Sequence, residues 1–362
     1  MLKSELGQVF TKEKEVKKMC SLIKNSGTIL EPSAGDGSFY NVLPSPMTIG
    51  IEIDKDVAPK GCLVMDFFDY KTSIKFDTVI GNPPYLSYND IPSTTLRKLP
   101  NIMDKSKGNL YMFFIWKCLD LLSDNGELIF IVPRDFIKLT SAAALNNRLN
   151  TEGGFTYWEE LGDQKVFDDA CPNVVIFRWQ KGIKHTIDIH YNNGFFSFGK
   201  TSGEKISDLF DVKVGAVSGA NDIFYNKNGN ISLAYSKTKS TGKFIKAYYG
   251  ELDVLKPFKD KLLNRKGKEF SEKNWWKWVR KPAESKEKKI FVNCKTRDDK
   301  PFFTTDCECW DSSLLALVPK KDLNINEYVD RLNNTDWEKQ GFKVGGRLIF
   351  TQKSLENAII EN

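Results

Sequence analysis

The chain has 362 residues, 41% of them hydrophobic and 28% charged, enough for two soluble domains that each bury a core. No apolar run reaches the length of a membrane span, and no apolar stretch follows the lysine-rich N-terminus, so the expected setting is cytoplasmic with no membrane partner. The net charge of +6 is uneven: residues 236–300 hold 20 Lys/Arg against 9 Asp/Glu, which leaves the remainder mildly acidic and implies a polyanionic partner for one half only.

Lys12 to Lys24 reads as a helix with Val16, Met19, Cys20 and Ile23 on one side and Thr11 as its N-cap. Thr28 to Leu30 is a short strand that ends at Glu31-Pro32. The loop Ser33-Ala34-Gly35-Asp36-Gly37-Ser38 follows, and Phe39 opens a helix. Strand, glycine loop and helix open a nucleotide-binding unit. Its acids carry the information, because Glu31 and Asp36 repel a pyrophosphate and suit a ligand with cationic and hydroxyl groups. S-adenosylmethionine, with an ammonium and a sulfonium, is such a ligand. The second strand, Thr48 to Ile53, brings Glu52 to the position where this architecture holds a ribose diol. The third, Cys62 to Met65, ends at Asp66-Phe67: an acceptor for an adenine amino group and a ring to pack on the base.

Phe76 to Ile80 is a buried strand released by Gly81 into Asn82-Pro83-Pro84-Tyr85. Neither proline can continue a strand, and Pro83 holds Asn82 extended. The tip therefore presents one amide, free carbonyls and one ring at the strand's carboxyl end, where open α/β sheets bind ligands. A conjugated amino group is a poor nucleophile. Two acceptors, the Asn82 side-chain oxygen and the Pro83 carbonyl, favour the geometry in which its lone pair is free, while Tyr85 offers a stacking face. A proline-rich surface turn is the bland alternative, and the strand and acids upstream weigh against it.

Downstream, Leu110 to Leu122 is a helix, Glu127 to Val132 a buried strand, Trp158 to Leu161 and Val174 to Trp179 further strands. Between the last two lies Phe167, a candidate second face for a stacked base. Gly and Ser residues near Thr201 to Glu204 mark a joint, giving domains 1–203 and 204–362. In the second, Trp275-Trp276-Lys277-Trp278 reads by default as a core plug. With Arg280 and Lys281 it also suits a surface against nucleic acid. Seven cysteines at irregular spacing, two histidines and no Cys-x-x-Cys predict reduced thiols and no metal.

These motifs resemble the S-adenosylmethionine-dependent DNA adenine-N6 methyltransferases, in the Taq-type order of cofactor motifs, catalytic tetrad and target-recognition domain. Gly7 to Thr11 is similar to the family's N-terminal motif, Glu31 to Gly37 to its cofactor loop, and Asn82 to Tyr85 to its catalytic motif. Val166-Phe167 is similar to the segment that stacks on the extruded adenine; residues 168–172 depart from the reference members. Val214 to Phe224 and Gly346 to Leu355 are similar to segments of the recognition domain, and 226–340 carries little resemblance.

The resemblance implies a Rossmann-like α/β sheet with helices on both faces, and a mixed α+β second domain. It implies a cofactor site of Phe10, Thr11, Glu31, Ser33, Ala34, Gly35, Asp36, Gly37, Glu52, Ile53, Asp66, Phe67 and Asn82, and a catalytic set of Asn82, Pro83, Tyr85 and Phe167. It also implies double-stranded DNA as substrate and a separate cognate restriction endonuclease. Trp275, Trp276, Lys277, Arg280 and Lys281 are the candidate DNA contacts. Protein glutamine-N5 and RNA methyltransferases share the tetrad, and a non-catalytic DNA-binding protein on the same fold is a third reading. One helix, rather than a helical domain, precedes the cofactor loop, and the acid series is intact, which favours DNA methylation.

Overall fold

The computed structural model describes residues 11–44, 46–100, 108–161, 174–199, 203–265, 269–344 and 346–361. Two compact units divide the chain: residues 1–200 with 339–346, and residues 201–338 with 347–362. The break between 200 and 201 lies three residues before the 203/204 division expected from sequence, and residues 339–346 group with the first unit. Lys339 accepts from the Phe198 N–H, the Lys343 carbonyl accepts from the buried Arg134 guanidinium at 2.5 Å, and Phe342 lies under the Lys138 ammonium.

The first unit is a seven-stranded sheet of β1 (Ile29–Glu31), β2 (Thr48–Glu52), β3 (Leu63–Val64), β4 (Phe76–Gly81), β5 (Leu122–Pro133), β6 (Gly153–Glu160) and β7 (Val174–Lys181), in the order β3-β2-β1-β4-β5-β7-β6. Strands β1 to β5 run parallel, and β7 lies antiparallel to both β5 and β6. Parallel strands are covered on both faces, and the side chains alternate accordingly. Val79, Leu128, Phe130 and Val132 enter a core with the helix Leu110–Leu121, whereas Ile80, Ile129 and Ile131 meet Val16 and Met19 of the helix Glu13–Ser21 on the other side.

Two local expectations change. Thr11 does not cap the first helix; Lys12 holds that position, and its side chain makes no capping bond to the helix. Among the described residues no regular helix follows the glycine loop either. Asn41 and Leu43 make isolated helical bonds to Gly37 and Phe39. Pro44 and Pro46 then stop propagation, because proline lacks the N–H and displaces the preceding residue from helical conformation.

The second unit is mixed α+β. A four-stranded antiparallel sheet joins Phe210–Val214, Leu314–Pro319, Ile290–Asn293 and Phe302–Thr304, and the helix Ile325–Asn334 belongs to the same unit. Among the described residues no helix is long and apolar enough to cross a membrane.

The first sheet is pinned at the end opposite its ligand edge by a buried ion pair. Glu127 Oε2 accepts from Arg178 Nε at 2.5 Å, and Oε1 accepts from the Thr78 hydroxyl and the Lys24 and Asn25 N–H groups. Removing one partner leaves a buried charge unpaired, so Glu127→Ala should cost about 3–5 kcal/mol in urea unfolding; a loss below about 1 kcal/mol would mean that the pair contributes little.

Candidate active site

The carboxyl ends of β1, β2 and β4 open on one cavity, lined by Thr11, Glu31, Ser33, Ala34, Gly35, Asp36, Glu52, Ile53, Asp66, Phe67 and Asn82. Of the residues expected around a cofactor, Gly37 shapes the turn beneath without lining the cavity. Its φ of +85° suits glycine, and a Cβ there would meet Asn41 and Pro59 at 2.7 Å. Phe10 and Phe167 lie outside the described residues.

Acids dominate the polar lining. Glu52 is buried, and its carboxylate accepts from the Gly35 N–H at 2.7 Å and the Asp54 N–H at 3.0 Å, which fastens the glycine loop to β2. Glu31 is 1% exposed, and its Oε2 has no hydrogen-bond partner among the described residues. Burial first, then the charges of Glu52 and Asp36, pushes the Glu31 carboxyl well above the ordinary carboxylate range. A buried acid with an idle oxygen, two carboxylates beside it and no Lys or Arg among the described residues of the lining is a cradle for a cation. The donor set fits S-adenosylmethionine.

The tetrad stands at the same edge. Ser33 Oγ donates to the Asn82 carbonyl at 3.1 Å, and Asn82 Nδ2 donates to Thr11 Oγ1 at 3.1 Å, so both the backbone and the amide of Asn82 are held by the cofactor side of the cavity. Pro83 is buried, and Pro84 lines the cavity. Tyr85 is half-buried rather than free: its hydroxyl donates to the Ile131 carbonyl at 2.9 Å and its ring meets Tyr111 edge-on. Burial pushes the Tyr85 phenol well up, which keeps it a neutral donor. Behind it the Tyr111 hydroxyl donates to the Asp135 carboxylate at 2.8 Å.

Several lining residues carry no signal in the sequence. Leu110 and Phe114 come from the first two turns of a helix whose residues 110–116 are apolar or aromatic on every side, and Pro92 and Thr95 from the segment after the tetrad. Phe67, expected to be open to a base, is buried and already stacks on Phe114 at 4.9 Å, while the exposed Ile53 lines the cavity as well. In the second unit, Trp275 is 4% and Trp278 3% exposed in an aromatic core, and the Trp278 indole donates to the Tyr248 carbonyl. The expectation of Trp275 as a DNA contact is therefore corrected: it could reach a base only by leaving its core. Lys277, Arg280 and Lys281 are exposed, and Trp276 is half-buried.

Residues 49–167 match the family model described as the Eco57I restriction-modification methylase. Residues 49–167 of the first unit thus carry a methyltransferase domain of the restriction-modification type. The chain is 30% identical over 258 residues to the Type II methyltransferase M.HincII of Haemophilus influenzae, covering 67% of this chain and 50% of that protein. It is 32% identical over 200 residues to M.TthHB8I of Thermus thermophilus, covering 49% and 46%. The chain thus spans about half the length of the curated relatives it matches. In fold it is similar to the Type IIL restriction-modification enzyme MmeI, solved in complex with DNA, with a TM-score of 0.60 at 10% identity over 98% of this chain and 64% of that one.

A cationic cofactor favours the ionised form of the raised Glu31 carboxyl, so its binding is coupled to proton release wherever that carboxyl holds a proton. Affinity for S-adenosylmethionine should therefore rise with pH through the elevated Glu31 range and level off above it. Calorimetry in buffers of different ionisation enthalpy should register proton release, and Glu31→Gln should abolish both the release and the pH slope. The same slope in Glu31→Gln would assign the titration to another group.

Proposed function

We propose that the chain is a site-specific DNA methyltransferase that transfers a methyl group from S-adenosylmethionine to adenine N6, as the modification component of a restriction-modification system with a separate endonuclease. The observation that carries this reading is Asn82-Pro83-Pro84-Tyr85 standing at the carboxyl end of β4, bonded through Asn82 to both Thr11 and Ser33 of the acidic cavity. The cofactor supplies an electrophilic methyl group on a sulfonium. Glu31 and Asp36 would balance its cationic end, Glu52 would take the ribose and Asp66 the adenine amine.

The chain's own chemistry is orientation. With Asn82 Nδ2 occupied by Thr11, the amide turns its oxygen away from that bond, and together with the Pro83 carbonyl it would accept the two N–H bonds of the target amine. Tyr85, tied by its hydroxyl to β5, would stack on the base, and Phe167 would supply the second face. An adenine inside a duplex cannot reach this edge, so the base must be flipped out. That costs a few kcal/mol, which the basic half would recover through phosphate contacts made by Lys277, Arg280 and Lys281.

Asn82→Ala should lower the single-turnover methylation rate by about 10²–10³-fold, while cofactor and DNA affinity change little. Near-normal single-turnover transfer by that variant would remove Asn82 from the chemistry. Lys277→Glu with Lys281→Glu should weaken all duplex sequences alike and flatten the log–log salt slope by roughly 0.9 for each phosphate that is no longer neutralised. Weakening confined to one target sequence would assign these residues to base reading.

A further inference from the structure

We propose that Thr95 and Lys98 are positioning residues of the cofactor's adenine subsite: they fix the Asp66 carboxylate so that one acceptor position remains, aimed at a 6-amino purine. This rests on the S-adenosylmethionine reading of the cavity. Asp66 lines that cavity together with Thr95, and its side chain is 10% exposed. An ionised carboxylate offers about four acceptor positions. Asp66 Oδ1 accepts from the Phe68 N–H at 2.9 Å, capping the short turn Phe67–Asp69. Oδ2 accepts from the Thr95 hydroxyl at 2.8 Å and from the Lys98 ammonium at 3.0 Å. Three positions are filled, and the fourth can take one N–H of an exocyclic amine.

A 6-oxo purine would set lone pair against lone pair there. Without the two donors the Asp66 carboxylate can rotate, and the preference for the amine fades. Lys98 also bonds Asp69, so the same side chain braces both ends of the turn. Thr95 and Lys98 belong to the segment directly after the catalytic tetrad. The adenine subsite is thereby built from two separate stretches of chain, neither of which shows the site alone.

The test is calorimetry on the full chain with S-adenosylhomocysteine and its deaminated counterpart S-inosylhomocysteine. The wild-type protein should prefer the adenosyl compound by roughly ten- to a hundredfold, the worth of one hydrogen bond to a charged group. Thr95→Val and Lys98→Met should each shrink that ratio severalfold by weakening adenosyl binding, while Thr95→Ser should restore it and so separate the hydroxyl from any folding defect. Equal losses for both ligands at a constant ratio, or an unchanged ratio in both variants, would overturn the proposal. A wild-type protein that binds both ligands equally would overturn it as well but leave the cofactor reading standing. Failure to bind either ligand would end both.

Discussion

Four carboxylic side chains, Glu31, Asp36, Glu52 and Asp66, line one cavity that has no lysine or arginine among the described residues of its walls. Such a gathering of acid is costly in an empty site, and most costly at Glu31, which is buried with an oxygen left unsatisfied. The protein lessens the cost by backbone bonds to Glu52, by the Thr95 and Lys98 donors at Asp66, and by favouring the protonated form of Glu31. What remains is an electrostatic demand for a cation. That demand explains why the glycine loop here serves a sulfonium cofactor rather than a pyrophosphate.

The sheet turns the demand into geometry. Because β1, β2 and β4 are adjacent and parallel, the residues that leave their carboxyl ends arrive at one place whatever their separation in sequence. Ser33 and Thr11 then bind Asn82, which couples the position of its amide to the glycine loop. On the far side Tyr85 is anchored on β5 and supported by Tyr111 and Asp135. The tetrad is thus suspended between two walls, and neither wall consists of residues from the tetrad's own stretch.

Much of this is legible in the sequence where a local rule applies. Glu31 to Gly37, Glu52, Asp66 and Asn82 to Tyr85 each follow a short apolar strand, and strand ends declare themselves by proline, glycine or acid. Phe114, Leu110 and Thr95 do not, because a helix apolar on every side over residues 110–116 gives no sign of which ring faces a cavity, and a short polar segment gives no sign of its distant partner. The tryptophan cluster shows the opposite failure. Interleaved lysines suggest a surface, yet Trp275 and Trp278 are buried in a core with residues between Ala216 and Leu262, distant from them in the chain. The return of residues 339–346 to the first unit rests on Arg134 and Phe198, partners far away in sequence that no local pattern announces.

The central claim is that the Asn82 edge methylates an exocyclic amine of DNA beside a bound sulfonium. The most direct measurement is to incubate the purified chain with isotopically labelled S-adenosylmethionine and a random-sequence duplex library, digest the DNA to nucleosides and identify the labelled product by mass spectrometry. The account predicts N6-methyldeoxyadenosine confined to one sequence context. Label in N4-methyldeoxycytidine would contradict the choice of base, and label found only in RNA or protein would contradict the substrate.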